Sequence, residues 1–353
     1  MGRIEARMRR PLNFKLSLRT RIWDTEQQCT DPGHGESRTD NMNRVTGAVG
    51  RAIFVILLII TPCLLLPWTH SDTSTLITLV ALVAAAFTFF EYKSELPSML
   101  EFRDAPPFNR IRFFALFASV LALSLATNGK VAPTTLSTFI AAIGDTIGRA
   151  IDIPYSPVRL MVLMLPKHAP AALYETVRTA AGVSYLISVI AIAVFVMSVR
   201  LRDWPNSDTT FNVWTNLPNF DPTAGGDVVH RLNRDSQLNI ILGFLLPFIV
   251  PAVINLTSDL FNPIILMNPH TLIWTVSAWG VIPASLILRG IAMGKVADMI
   301  KEQRRANYDA NGEFIGAPGQ SVTPRLFFSA GLFKHPSQHM IPSRCALRST
   351  PHH

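Results

Sequence analysis

The sequence predicts an all-α fold: a polytopic bundle of about six transmembrane helices with both termini on the cytoplasmic side. Three observations carry that reading. The 353 residues are 49% hydrophobic but only 16% charged, against about 25% charged in soluble domains. The apolar residues are gathered into blocks, the pattern of membrane spans rather than of one large soluble core. One such block, residues 238–256, covers about 28 Å as a helix, close to the roughly 30 Å of a hydrocarbon core.

The chain divides into three parts. Residues 1–48 read as a polar, disordered N-terminal segment, rich in arginine and in turn formers such as CTDPGHGE. Its acidic residues, among them Glu5, Asp24, Glu26, Asp31 and Glu36, argue against an organellar transit peptide. Met42 offers an alternative start. It opens MNRVTGAVGR ahead of AIFVILLIITPCLLLPW, the basic head and apolar run of a signal anchor, and no small-x-small cleavage site follows. Residues 49–309 form the membrane domain, and 310–353 a disordered tail rich in Gly, Pro and Ser.

Six spans are expected, at 52–68, 75–90, 113–127, 180–199, 238–256 and 271–289. Flanking charge orients them. With the N-terminus in the cytoplasm, fifteen lysines and arginines between Arg44 and Arg305 flank the inner ends. Five (Lys130, Arg149, Arg159, Lys167 and Arg178) fall outside, all in one long loop. That bias fits only one orientation.

The long outer loop holds an amphipathic helix at 134–151. Leu136, Phe139, Ile140, Ile143, Ile147 and Ile151 recur every three or four positions, with Pro133 at its start and Pro154 beyond its end. Gly144 and Gly148 inside it form a GxxxG, which in a spanning helix would suggest close packing, but Asp145 sits within it and no specific dimer contact is expected. VRLMVLML at 158–165 is too short to span and is expected in the interface. The cytoplasmic loop 201–236 carries Trp204, Phe211, Trp214 and Phe220. Its Gly225-Gly226 lacks the spacing of a phosphate loop and reads as a turn. After the last span, residues 290–308 continue helically, with Ile291, Val296, Met299 and Ile300 on an apolar face.

Catalytic signatures are sparse. The apolar runs hold no Asp, Glu, Lys, Arg or His in their interiors, so the usual mark of a proton-coupled path is missing. Cys29, Cys63 and Cys345 are scattered, and Pro336 interrupts the His335/His339 pair, so neither a metal site nor a disulfide framework is indicated. Gly182-Val183-Ser184-Tyr185 on the fourth span and His270 at the start of the sixth share the gross layout of rhomboid proteases. Tyr185 stands where a second glycine belongs, however, and the long loop follows the wrong span. No enzyme activity, cofactor or metal is therefore expected.

Proline is the distinctive feature that remains. Pro247 and Pro251 in the fifth span and Pro283 in the sixth have no N–H, so the carbonyls of Gly243, Pro247 and Trp279 lose their helix partners. These five residues mark a kink between packed helices or the lining of a cavity. The expected protein is a multi-pass protein of the cytoplasmic (inner) membrane. It packs with, or supports assembly of, other membrane proteins in the lipid bilayer, without nucleic acid as a partner. The alternative is a facilitator or channel for a neutral or weakly polar solute, using the proline-broken fifth span.

Overall fold

The computed structural model describes residues 36–66, 71–94, 99–103, 105–166, 169–201, 204, 216–218, 220, 225–256 and 266–312. The expectations for residues 1–35 and 313–353, and for Phe211 and Trp214, lie outside the described residues. Eight α-helices occur among the described residues and no strand: α1 (Glu36–Leu65), α2 (Ser71–Lys93), α3 (Phe108–Asn128), α4 (Thr135–Ala150), α5 (Pro157–Leu163), α6 (Ala171–Leu201), α7 (Val228–Leu256) and α8 (Pro269–Gly312). Six of them, α1, α2, α3, α6, α7 and α8, are long and apolar enough to cross a membrane. Packing divides the chain into Met1–Ala297 and Asp298–His353. The described part of the second unit is the end of α8, where Lys301 pairs with Asp298 at 3.3 Å.

Each expected span is found, but the helices outrun the apolar runs. Helix α1 begins at Glu36, inside the stretch read as polar and irregular. Helix α3 begins at Phe108 just after Pro107, and α6 at Ala171 just after Pro170. Helix α7 begins at Val228, so the loop expected over 201–236 ends at Asp227, after Gly226 with φ +96°. Hydropathy reports only the lipid-crossing part. The helix itself runs on into polar residues until proline or a left-handed glycine stops it.

The pattern of exposure is that of a membrane bundle. Large apolar side chains point outward, with Leu64 and Phe87 about 70% exposed (69% and 70%), while Ser119, Ser124, Ser184 and Ser277 are wholly buried. In water such an exposed surface would be a serious liability. In lipid it is the natural solvent face, and small or hydroxylated residues are the ones that let helices approach. Helix α2 packs on α1 and leaves Leu76, Leu79, Val80, Leu82, Phe87 and Phe90 exposed. The main core joins α3, α5, α6 and α8 through Leu123, Met161, Val177, Ala181, Ile273 and Val276.

Helix α4 forms as its sequence directs. Thr134 and Ser137 make a reciprocal capping box, with Ser137 N donating to Thr134 Oγ1 at 3.2 Å and Thr134 N to Ser137 Oγ at 2.9 Å. The expected interfacial segment 158–165 is corrected. It forms the short helix α5, capped by Ser156 and opened by Pro157, and its Val158, Met161 and Val162 are buried in the core against α6. A helix of about two turns can use apolar residues on either side, and its own pattern does not say whether lipid or protein receives them. Val296, expected on an apolar face turned to the membrane or a partner, is buried together with Ala292, Met293 and Ala297.

Candidate functional site

The five residues singled out by the prolines meet at one seam between α7 and α8. Helix α7 passes through Pro247 and Pro251 without interruption. The Pro247 carbonyl, orphaned because Pro251 has no N–H, accepts a hydrogen bond from Trp279 Nε1 at 3.1 Å. Gly243 lies against the backbone of α8. A Cβ placed there would meet the Pro283 carbonyl at 2.6 Å and Ile287 N at 3.0 Å. A backbone group that must be satisfied away from water is thus satisfied by an indole from the neighbouring helix. Trp279→Phe removes that donor and is expected to cost about 1–2 kcal/mol. In a Pro251→Ala background the restored N–H takes the same carbonyl. The cost of Trp279→Phe should then fall by more than half, as a double-mutant cycle of detergent unfolding would show.

The same device recurs along the bundle. Ser236 Oγ donates to the Gly290 carbonyl at 2.7 Å, joining α7 to α8 a few turns from the proline seam. Ser184 Oγ donates to the Val276 carbonyl at 3.0 Å, joining α6 to α8, and lies 3.4 Å from Ser119 Oγ of α3. Gly144 and Gly148, the GxxxG of α4, face Gly182 of α6, so this motif closes a contact within the chain. The Ser184 hydroxyl is therefore engaged with α8 six residues beyond His270, about 9 Å along the helix axis. Both ring nitrogens of His270 are buried without a partner. A serine nucleophile needs its base within hydrogen-bond reach, and these two residues are not arranged that way.

At the N-terminal end of α3 the fold builds a polar cluster that spacing in the sequence does not reveal. Glu101, in the turn between α2 and α3 and 7% exposed, receives two bonds from Arg289 of α8. These run from Nε to Oε2 at 2.5 Å and from Nη2 to Oε1 at 2.8 Å. The third guanidinium nitrogen donates to Asn239 Oδ1 of α7 at 3.0 Å. Asn239 in turn donates to the Asp235 carbonyl at 2.6 Å, and Asn109 to the Glu101 carbonyl at 2.8 Å. Two aromatic residues expected in the loop close this end. Trp204 donates to the Ala105 carbonyl at 3.2 Å and packs with Phe102 and Phe195, both of which also meet Phe108, while Phe220 lies under Arg231. Phe102 takes a left-handed φ of 54°, held by its N–H on the Asn216 carbonyl at 2.7 Å. The cost of that backbone, about 1 kcal/mol or more, is met by burial of its ring.

At the other end of α3 lies a second cluster. Arg149 pairs with Asp145 at 2.9 Å and Glu175 at 3.6 Å, and Arg159 with Asp152 at 3.5 Å. Arg178 reaches Asp145 at 3.6 Å, Asp152 at 3.8 Å and Glu175. Lys130, just past α3, donates to Thr176 Oγ1, and burial holds its ammonium below the usual lysine range. Lys130, Asp145, Arg149, Glu175 and Thr176 line a cleft of about 260 Å³ between α3, α4 and α6. A second cleft, about 340 Å³, is lined by Tyr155, Tyr185 and Phe248 among others. Among the described residues no group of three or more His, Cys, Asp or Glu side chains could hold a metal.

Six apolar helices around a serine- and glycine-lined interior define the class: a multi-pass helical membrane protein. No family model matches the sequence, and neither a curated protein nor a solved structure matches it.

Proposed function

We propose that the chain is a non-catalytic protein of the cytoplasmic membrane, with both termini inside, that packs with other membrane proteins or supports their assembly. The observation that carries this reading is the bond from Trp279 to the Pro247 carbonyl. The most transporter-like feature of the sequence is used to join two helices of the same chain. Ser184 on Val276 and Ser236 on Gly290 spend their hydroxyls in the same way. Helix α2, packed on α1, keeps a long apolar face for lipid or a neighbouring span. A photoreactive residue at Phe87 is expected to trap one discrete membrane protein in cells, and purified protein in liposomes is expected to carry no solute above empty vesicles.

The second reading is a facilitator for a neutral or weakly polar solute. The buried Ser188 and Ser277 hydroxyls favour it, since neither has a hydrogen-bond partner. The liposome experiment separates the two. Solute flux from the purified chain alone, reduced by Ser188→Ala or Ser277→Ala, would replace the assembly reading with this one.

A further inference from the structure

Among the described residues, the charge balance at the C-terminal end of α3 leaves one cation over. Three guanidiniums (Arg149, Arg159 and Arg178) meet three carboxylates (Asp145, Asp152 and Glu175), and every carboxylate is touched by two of them. That set is neutral and closed on itself. Lys130 stands beside it with no carboxylate within 4.0 Å among the described residues, its ammonium on the Thr176 hydroxyl. Thr176 has already given its own proton to the Ala172 carbonyl at 2.6 Å, so it offers Lys130 a neutral acceptor and no counter-charge.

The cleft beside Lys130 has a direction. Its rim is charged, and its floor is Leu123, Ala126, Ala180 and Val183, residues of the two spanning helices α3 and α6. Leu123 lies about 8 Å below the end of α3, at ~1.5 Å per residue. A surplus cation at the boundary above an apolar trough that descends into the span matches one kind of molecule: a single anionic head joined to a hydrocarbon chain. A water-soluble anion would satisfy the lysine and leave the trough unused, and a zwitterionic lipid would bring its own cation to a rim that already has one too many.

We propose that the cleft between α3, α4 and α6 binds an anionic phospholipid, with its phosphate on Lys130 and the start of an acyl chain against Ala126, a half-buried member of the apolar lining. Asp145, Arg149 and Glu175 of the closed set then form the wall, and among the described residues Lys130 is the head-group anchor. This site is independent of the assembly reading, because it concerns a lipid and a different face from α2.

The test is thermal unfolding of the full chain in detergent, with dioleoylphosphatidylglycerol, with dioleoylphosphatidylcholine, or with inorganic phosphate. The glycerol lipid should raise the midpoint while the choline lipid and inorganic phosphate should not. Lys130→Gln should weaken the effect roughly tenfold in lipid concentration, the loss of one charge-assisted hydrogen bond. Lys130→Arg should retain it, and Lys301→Gln, in the separate C-terminal unit, should leave it unchanged. Should Lys130→Gln fail to fold, Ala126→Trp, which fills the trough and keeps the charge, should abolish the lipid shift. An unaltered shift in Lys130→Gln or Ala126→Trp, an equal shift with the choline lipid or with inorganic phosphate, or no shift at all would overturn the proposal.

Discussion

Glu101→Ala is expected to lower the stability of the bundle by about 3 kcal/mol, the low end of the range for breaking a buried ion pair. The substitution removes both acceptors from two Arg289 nitrogens and leaves the guanidinium with Asn239. The low end is appropriate because the Arg289 side chain keeps 30% of its surface exposed, so water recovers part of the loss. Arg289→Ala should cost a similar amount by removing the guanidinium that donates twice to the Glu101 carboxylate. The double replacement Glu101→Leu with Arg289→Met should be milder than either single change, since removing both charges leaves neither unpaired. Unfolding in a graded series of denaturing detergent would read all three. A Glu101→Ala protein as stable as the original would show that the pair does not hold α8 to the α2–α3 turn.

Gly182→Leu is expected to be the most damaging single change on α6. A Cβ at this position meets the Gly144 carbonyl at 2.5 Å, Gly148 N at 2.7 Å and Gly148 Cα at 2.9 Å. All three are backbone atoms, so no side chain can turn aside and the two helices must separate. Overpacking of this kind costs about 1–3 kcal/mol even when repacking is available, and leucine adds further atoms into the same gap. Gly182→Ala should be less severe but still destabilising. Gly50→Ala is the contrast. Nothing lies within 4 Å of its Cβ position and it sits inside α1, so alanine should stabilise by roughly 0.5–1 kcal/mol through helix propensity alone. A Gly182→Leu protein with an unchanged midpoint would mean that α4 does not cross α6 through its glycines.

The sequence made the spans legible because lipid crossing is an additive property of about twenty neighbouring residues, and no long-range contact is needed to detect it. The amphipathic α4 and the proline-orphaned carbonyl of α7 were legible for a similar reason. Both depend on local pattern and on proline chemistry. What escaped is what the fold assembles from distant positions. Glu101 and Arg289 are 188 residues apart, and each alone looks like an ordinary charge flanking a span. Pro247 and Trp279 were both singled out, yet the indole's bond to that carbonyl is fixed only by the crossing of α7 and α8. The GxxxG of α4 was discounted because Asp145 sits within it, yet the fold packs it on Gly182 of α6. The burial of α5 escaped because about two turns have too few residues to show which face is covered.

The two polar clusters belong to opposite ends of α3, and the whole account requires that this helix, 21 residues or about 31 Å long, crosses the membrane. Thiol labelling of whole cells tests this most directly, in a background where Cys29, Cys63 and Cys345 are serine. Met99→Cys and Val131→Cys place thiols at exposed positions before and after α3. The N-in, six-span arrangement predicts that a membrane-impermeant maleimide modifies Val131→Cys in intact cells and Met99→Cys only after permeabilisation. Modification of Met99→Cys in intact cells, or of both positions under the same condition, would contradict it.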